Sequence, residues 1–348
     1  MKHHLKRALG AISRKTALVT VVCALAHSQP GLAQVALPIT LQVDVENFVV
    51  YTYDVTDSSK FATDQSKTTS SLGLQQGGLR TFTPIIGIAD IVAVNGTLAK
   101  GTWLTRGIVL NLQSSALPGQ AIADTIRTNM TEQVFEILQA DGTPIGTIMA
   151  SEVGFGVPPP GAPLTSLGNN KAITGGTGAF LGVRGQMGFS QSAGIRIASV
   201  SEDPANRRLN GGGTSRHLIQ VFPMSRPEIV STTAGPAIFH ADFSPVTASK
   251  PAKAGELLIV RATGLGPTRP GVDFGQPFPS DALQQVNSPL AILVNGQEAE
   301  VTNAIGWPGL VDTYRVDFRV PDGTLAGMAT IQLSAAWITG APTGIPVQ

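Results

Sequence analysis

Five glycines fall within the fifteen residues Ala172 to Gln186 (AITGGTGAFLGVRGQ), and this run limits the available folds more than any other stretch of the chain. Bare backbone N–H groups in such a cluster can cradle an anion, but the spacing does not match a phosphate loop. No Lys followed by Ser or Thr closes the run, and Gly178 to Gly182 is one residue too long for G-x-G-x-x-G. The residues that follow read as a strand, whereas a nucleotide loop opens a helix. Successive glycines also tolerate positive φ and let a strand bend sharply where a barrel closes. On that reading Gly175, Gly176, Gly178, Gly182 and Gly185 form a structural motif, and Phe180 plugs the interior beside the bend.

The surrounding sequence is consistent with an all-β chain. Polar and apolar residues alternate over 40–56, and apolar runs follow at 85–94, 103–112, 133–139, 171–200 and 216–222. The tight-turn dipeptides Asn95-Gly96 and Asp141-Gly142 sit between such runs. Only 14% of residues are charged, beside 39 Gly and 24 Pro, which disfavours long helices with solvated charged faces. One pattern points elsewhere: Ile122, Ile126, Met130 and Val134 recur every fourth residue, a spacing that predicts a short helix near 121–130. The segments 57–80, 153–170 and 201–215 read as polar or glycine- and proline-rich loops. Pro223 and Pro227 bracket a stiff connector. This predicts a first domain over 40–224, a linker at 225–236 and a second domain over 237–348. Strands at 256–262, 290–294, 314–320 and 328–334, with turns at Asn295-Gly296 and Asp322-Gly323, suggest a β-sandwich there.

Residues 1–33 have the features of a secretory signal peptide. Lys2, Lys6, Arg7, Arg14 and Lys15 precede the apolar run Ala17 to Ala26, and cleavage is expected near Ala33. The run is too short to span a bilayer, so no membrane span is expected after processing. Removing this leader leaves 19 basic and 23 acidic residues, a net charge of −4, with no Cys and only His217 and His240. An acidic surface excludes nucleic acid as the expected partner. The placement is secreted, periplasmic or cell-surface.

The run ITGGTGAFLGVRGQ resembles the glycine motif of the allene oxide cyclase and dirigent families. That resemblance implies an eight-stranded antiparallel barrel over about 40–223, a homotrimer, and an apolar cavity that steers a hydrophobic metabolite by shape. Lys253-Ala254-Gly255-Glu256, Ala262-Thr263-Gly264-Leu265-Gly266-Pro267, Val294-Asn295-Gly296-Gln297 and Tyr314 to Gly323 resemble the immunoglobulin-like IPT/TIG-type domain of secreted bacterial proteins. This second likeness, over about 237–335, implies adhesion, spacing or carbohydrate contact. The fold expectation is therefore an allene-oxide-cyclase-like barrel followed by an immunoglobulin-like sandwich.

Side chains able to carry chemistry are sparse. No G-x-S-x-G elbow accompanies the two His, and His240 with Asp242 supplies two ligands, too few for a metal site. No cofactor, metal or catalytic residue is assigned. Glu152 is the one cavity candidate. If Asp141-Gly142 is a two-residue turn, Glu136 faces Thr147 and Glu152 faces Thr131. Glu152 then shares the apolar face of Phe135, Ile137, Ile148 and Ala150. The reading adopted nevertheless leaves it in solvent at a strand end, since Gly154 and a proline loop follow. Trp103, Trp307 and Trp337 could stack on sugars, with Trp307 in the loop-like Gly306 to Gly309 the best placed. The expected function is binding or surface association, with a small hydrophobic ligand or a cell-surface glycan as partner. A dirigent- or isomerase (cyclase)-like role on a metabolite and a structural matrix role are the alternatives.

Overall fold

The computed structural model describes residues 38–52, 81–111, 127–155, 171–199 and 202–348. The leader 1–33, the polar loop 57–80, Ile122, Ile126 and all but the first three residues of the loop 153–170 lie outside them.

Eight strands close into an antiparallel barrel. They are β1 (Ile39–Thr52), β2 (Thr81–Val94), β3 (Thr97–Asn111), β4 (Arg127–Gln139), β5 (Pro144–Phe155), β6 (Lys171–Gly178), β7 (Arg184–Ala193) and β9 (Gly213–Phe222). Each of the first seven pairs with the next, β7 pairs with β9, and β9 returns to β1. Closure leaves no exposed edge within the ring. Asn95 and Gly96 (φ 50° and 78°) make the expected two-residue turn between β2 and β3.

No helix forms at Met130 and Val134; both lie on β4, with Met130 exposed and Val134 half-buried. A four-residue spacing is an even number, so it keeps residues on one face of a strand as well as of a helix. The spacing alone could not separate the two.

The strand β1 changes face partway along. Leu41, Val43 and Val45 point into the barrel, and a bulge at Glu46 and Asn47 (φ 54°) then turns Phe48 inward. Val49 and Tyr51 come to the outside, where β8 (Arg196–Ser199) runs parallel to β1 and covers them together with Ala198. The uninterrupted apolar run Phe48 to Tyr51 follows, because both faces of the strand are covered. The helical turn α1 (Arg207–Asn210) is tied to the same region. Asp90 accepts from Asn47 Nδ2 (2.9 Å) and from Arg208 Nε (2.7 Å), and it also pairs with Arg207.

The second half is another nearly closed set of strands. Its ladders run through β14 (Leu257–Thr263), β17 (Leu290–Val294), β18 (Gln297–Gly306), β19 (Thr313–Arg319) and β20 (Gly327–Ala335). The strand β18 pairs with β17 through Gln297 to Ala299 and with β19 from Glu300 onward. It thereby carries the ladder round a corner, and Leu258, Val260, Ile292, Val316, Phe318, Ile331 and Leu333 fill the interior. Asn295 and Gly296 (φ 51° and 82°) form the expected turn between β17 and β18.

The described residues from 38 to 348 belong to one compact unit. The segment 225–236, expected as a linker, carries β10 (Glu228–Ile229), which pairs with β14, and β11 (Ser231–Thr232), which pairs with β12 (Gly235–Pro236). More direct contacts also join the halves. Ala336 and Ile338 are buried in the barrel's own core, and Trp337 packs against it. They belong to the hairpin from β20 to β21 (Ile338–Thr339), whose turn residues Ala336 and Trp337 both have positive φ (49° and 63°). Around this plug, Arg269 donates to Thr143 Oγ1 (3.1 Å), and Gln139 Nε2 donates to the Asn287 carbonyl. The second half therefore supplies the floor of the barrel.

Candidate functional site

Side chains facing into the barrel are sorted by level. Near the floor they are apolar: Ile137, Ile145, Ile148, Phe180, Val183 and Val221 are all fully buried. Above them lies an aromatic level. Trp103 meets Phe48 edge-on (ring centroids 4.6 Å apart), and His217 lies 4.9 Å from Trp103 and 5.1 Å from Phe135. The Trp103 indole N–H donates to Gln133 Oε1 (3.2 Å), which satisfies its one polar atom.

The highest described level holds two opposite charges. Glu152 and Lys171 are cross-strand neighbours on β5 and β6, one residue beyond the pair Ser151 and Ala172. Lys171 Nζ lies 2.9 Å from Glu152 Oε2, and each side chain is 1% exposed. The same oxygen accepts from Thr131 Oγ1 at 2.9 Å. Glu152 Oε1 is buried and meets no hydrogen-bond donor among the described residues.

The register that brings Glu152 inward is the one expected: Glu136 faces Thr147 and Thr131 faces Glu152. The turn achieves it differently. Gly142 N–H donates to the Gln139 carbonyl (2.9 Å) and Gln139 N–H to the Thr143 carbonyl (2.8 Å), so the loop is one residue longer than two. A bulge between the pairs Leu138–Pro144 and Ile137–Gly146 restores the register. Glu152 is thus in the interior and not in solvent at a strand end.

The glycine motif lies at the opposite end of the same strands, away from the charged pair. Gly175, Gly176 and Gly178 are in β6, Phe180 and Gly182 are in the turn, and Gly185 is in β7. Gly178 (φ 61°) adopts left-handed backbone, and a Cβ there would sit 2.5 Å from the Ile145 carbonyl oxygen. At Gly185 a Cβ would sit 1.9 Å from the Gln220 carbonyl oxygen. Phe180 is buried in the barrel core as expected. The run lies between two strands, with no helix at its mouth.

Lys171 was not singled out from the sequence. Its signal was the alternation itself: Lys171 and Ile173 share a face, and Ile173 is core. His217 likewise occupies an inward position on β9, between Ser215 and Ile219. Of the remaining candidates, His240 hydrogen-bonds Glu256 Oε1 (2.6 Å) while Asp242 pairs with Lys250 (2.9 Å), so the two do not converge. Trp307 is half-buried beside Phe243, with centroids 6.3 Å apart. Among the described residues no three His, Cys, Asp or Glu side chains cluster as metal ligands, and no helix is long and apolar enough to cross a membrane.

Electrostatics follow from burial. Loss of water pushes the Lys171 ammonium below the ordinary lysine range, and the Glu152 carboxylate opposes that shift. Burial, reinforced by Lys171, holds His217 well below its ordinary value of 6.5. The unfolded chain therefore takes up the His217 proton first as pH falls. The fold is unaffected by this group above about pH 6.5 and loses stability below it, by up to about 1.4 kcal/mol per pH unit. Urea unfolding at about pH 7.5 and about pH 5.5 should show this loss in the parent and a smaller one in His217→Leu; equal losses would count against a neutral buried His217.

Fold and site together define a closed antiparallel β-barrel with a charged pair enclosed near one end and a floor supplied by the following β-rich half. Neither a protein-family model, nor a curated protein, nor a solved structure matches the chain.

Proposed function

We propose that this chain is an exported binding protein whose barrel receives a small, largely apolar molecule above the Glu152–Lys171 pair. One observation carries the reading: Glu152 Oε1 is buried and has no donor from the described residues, although Oε2 has two. Leaving such an oxygen unsatisfied costs about 1–3 kcal/mol. A ligand hydroxyl or N–H reaching it would recover that cost. The second half acts as an attachment or spacing module of the immunoglobulin-like kind; its own buried core supports that part of the reading. Export rests on the composition of residues 1–33.

The allene oxide cyclase- and dirigent-like alternative uses the same interior, and a carboxylate beside an ammonium is the feature that favours it. Native mass spectrometry of protein purified from its source reports retained ligand and oligomeric state together. Titration with 2-naphthol, followed by Trp fluorescence, is expected to show binding that is at least about tenfold weaker for the methyl ether, which lacks the donor. Glu152→Gln should remove most of that preference. The absence of both a retained molecule and naphthol binding would reject the proposal.

A further inference from the structure

We infer that Lys171 forms an imine with the carbonyl group of an aldehyde or ketone held in the barrel, with Glu152 moving the protons. The inference rests on the ligand-binding reading above and adds a chemical class to it. Its geometry is the pair itself: an amine nitrogen 2.9 Å from a carboxylate oxygen, both side chains out of water, and the second carboxylate oxygen still open to a donor. Burial lowers the proton affinity of the Lys171 amine, which favours the nucleophilic neutral form. The exposed Lys100, Lys250 and Lys253 lack that environment.

The step balances within the pair. Lys171 passes a proton to Glu152 Oε2, and its lone pair then bonds to the carbonyl carbon as the C=O π pair moves onto oxygen. That oxygen takes the proton from Glu152, giving a carbinolamine whose nitrogen returns a proton to the carboxylate. The C–O bond then breaks, Glu152 protonates the departing oxygen, and water leaves as the nitrogen lone pair closes the C=N bond. An ammonium and a carbonyl become an iminium and water. One positive charge still faces Glu152, so no unpaired charge is created inside the barrel.

The test uses the full-length protein with cinnamaldehyde and cyanoborohydride at neutral pH, followed by peptide mapping. The expected result is reductive addition at Lys171 at least tenfold faster than at Lys100, Lys250 or Lys253, slowed at least tenfold in Glu152→Gln. The double variant Glu152→Leu with Lys171→Met serves as the packed control and should lose the fast addition while keeping the parent circular dichroism. Labelling confined to the exposed lysines overturns the imine. If 2-naphthol still binds in that case, the ligand-binding reading stands without it; if naphthol binding is also absent, both fall.

Discussion

Replacing Glu152 with leucine is expected to lower the free energy of unfolding by about 3–5 kcal/mol, because Lys171 would remain inside the barrel facing an apolar side chain. Adding Lys171→Met should recover most of that loss. Two well-packed apolar side chains of similar volume carry no desolvation penalty, and among the described residues the Thr131 hydroxyl loses its acceptor. Chemical denaturation of the parent, both single variants and the double variant gives the coupling between the two sites directly. A single variant as stable as the parent would show that the charges are not held together in a dry interior. The outcome bears on function as well as stability. If the double variant is the most stable of the set, the pair costs stability, which is the pattern expected of groups kept for binding or chemistry.

Placing a carboxylate at Ile338 should have an effect of similar size at the other end of the barrel. Ile338 belongs to the second half of the chain, yet it is buried in the same core as Phe180, Ile145 and Val183. Ile338→Asp is expected to cost about 3 kcal/mol or more, because the new charge has no partner there. The loss should be visible in the near-ultraviolet signal of the barrel aromatics Trp103 and Phe135, not only in that of the second half. Unchanged barrel stability would show that the β20–β21 hairpin merely rests beside the barrel. The turn at Ala336 and Trp337 supports the stronger role. Two non-glycine residues hold left-handed backbone, a Trp among them, which costs energy unless surrounding packing fixes the conformation.

Local pattern was enough for much of the architecture. Alternating apolar residues identify the strands, the Asn-Gly dipeptides mark turns at 95–96 and 295–296 that form as expected, and the glycine run sits in a strand-to-strand bend with Phe180 in the core. Register counting from one hairpin put Glu152 on the inward face, but the glycine and proline loop just after it argued for a strand end in solvent, which the closed ring overturns. The limits are equally specific. Ile122 to Val134 could be read as helix because a spacing of four residues fits either periodicity. The prolines around 225 suggested two separate units, although the hairpin carrying Ala336 and Ile338 returns from more than a hundred residues away to form the barrel floor.

The order of residues in this chain determined its strands, their inward faces and the bend at Gly178, because each depends on neighbours a few positions apart or on one backbone torsion. Tertiary structure alone decided that Lys171 meets Glu152, that His217 lies beside Trp103, and that the second half closes the first. Those contacts arise when a sheet curls into a ring: closure brings distant strands together and removes water from whatever faces inward, and no local periodicity records which charges will be enclosed together.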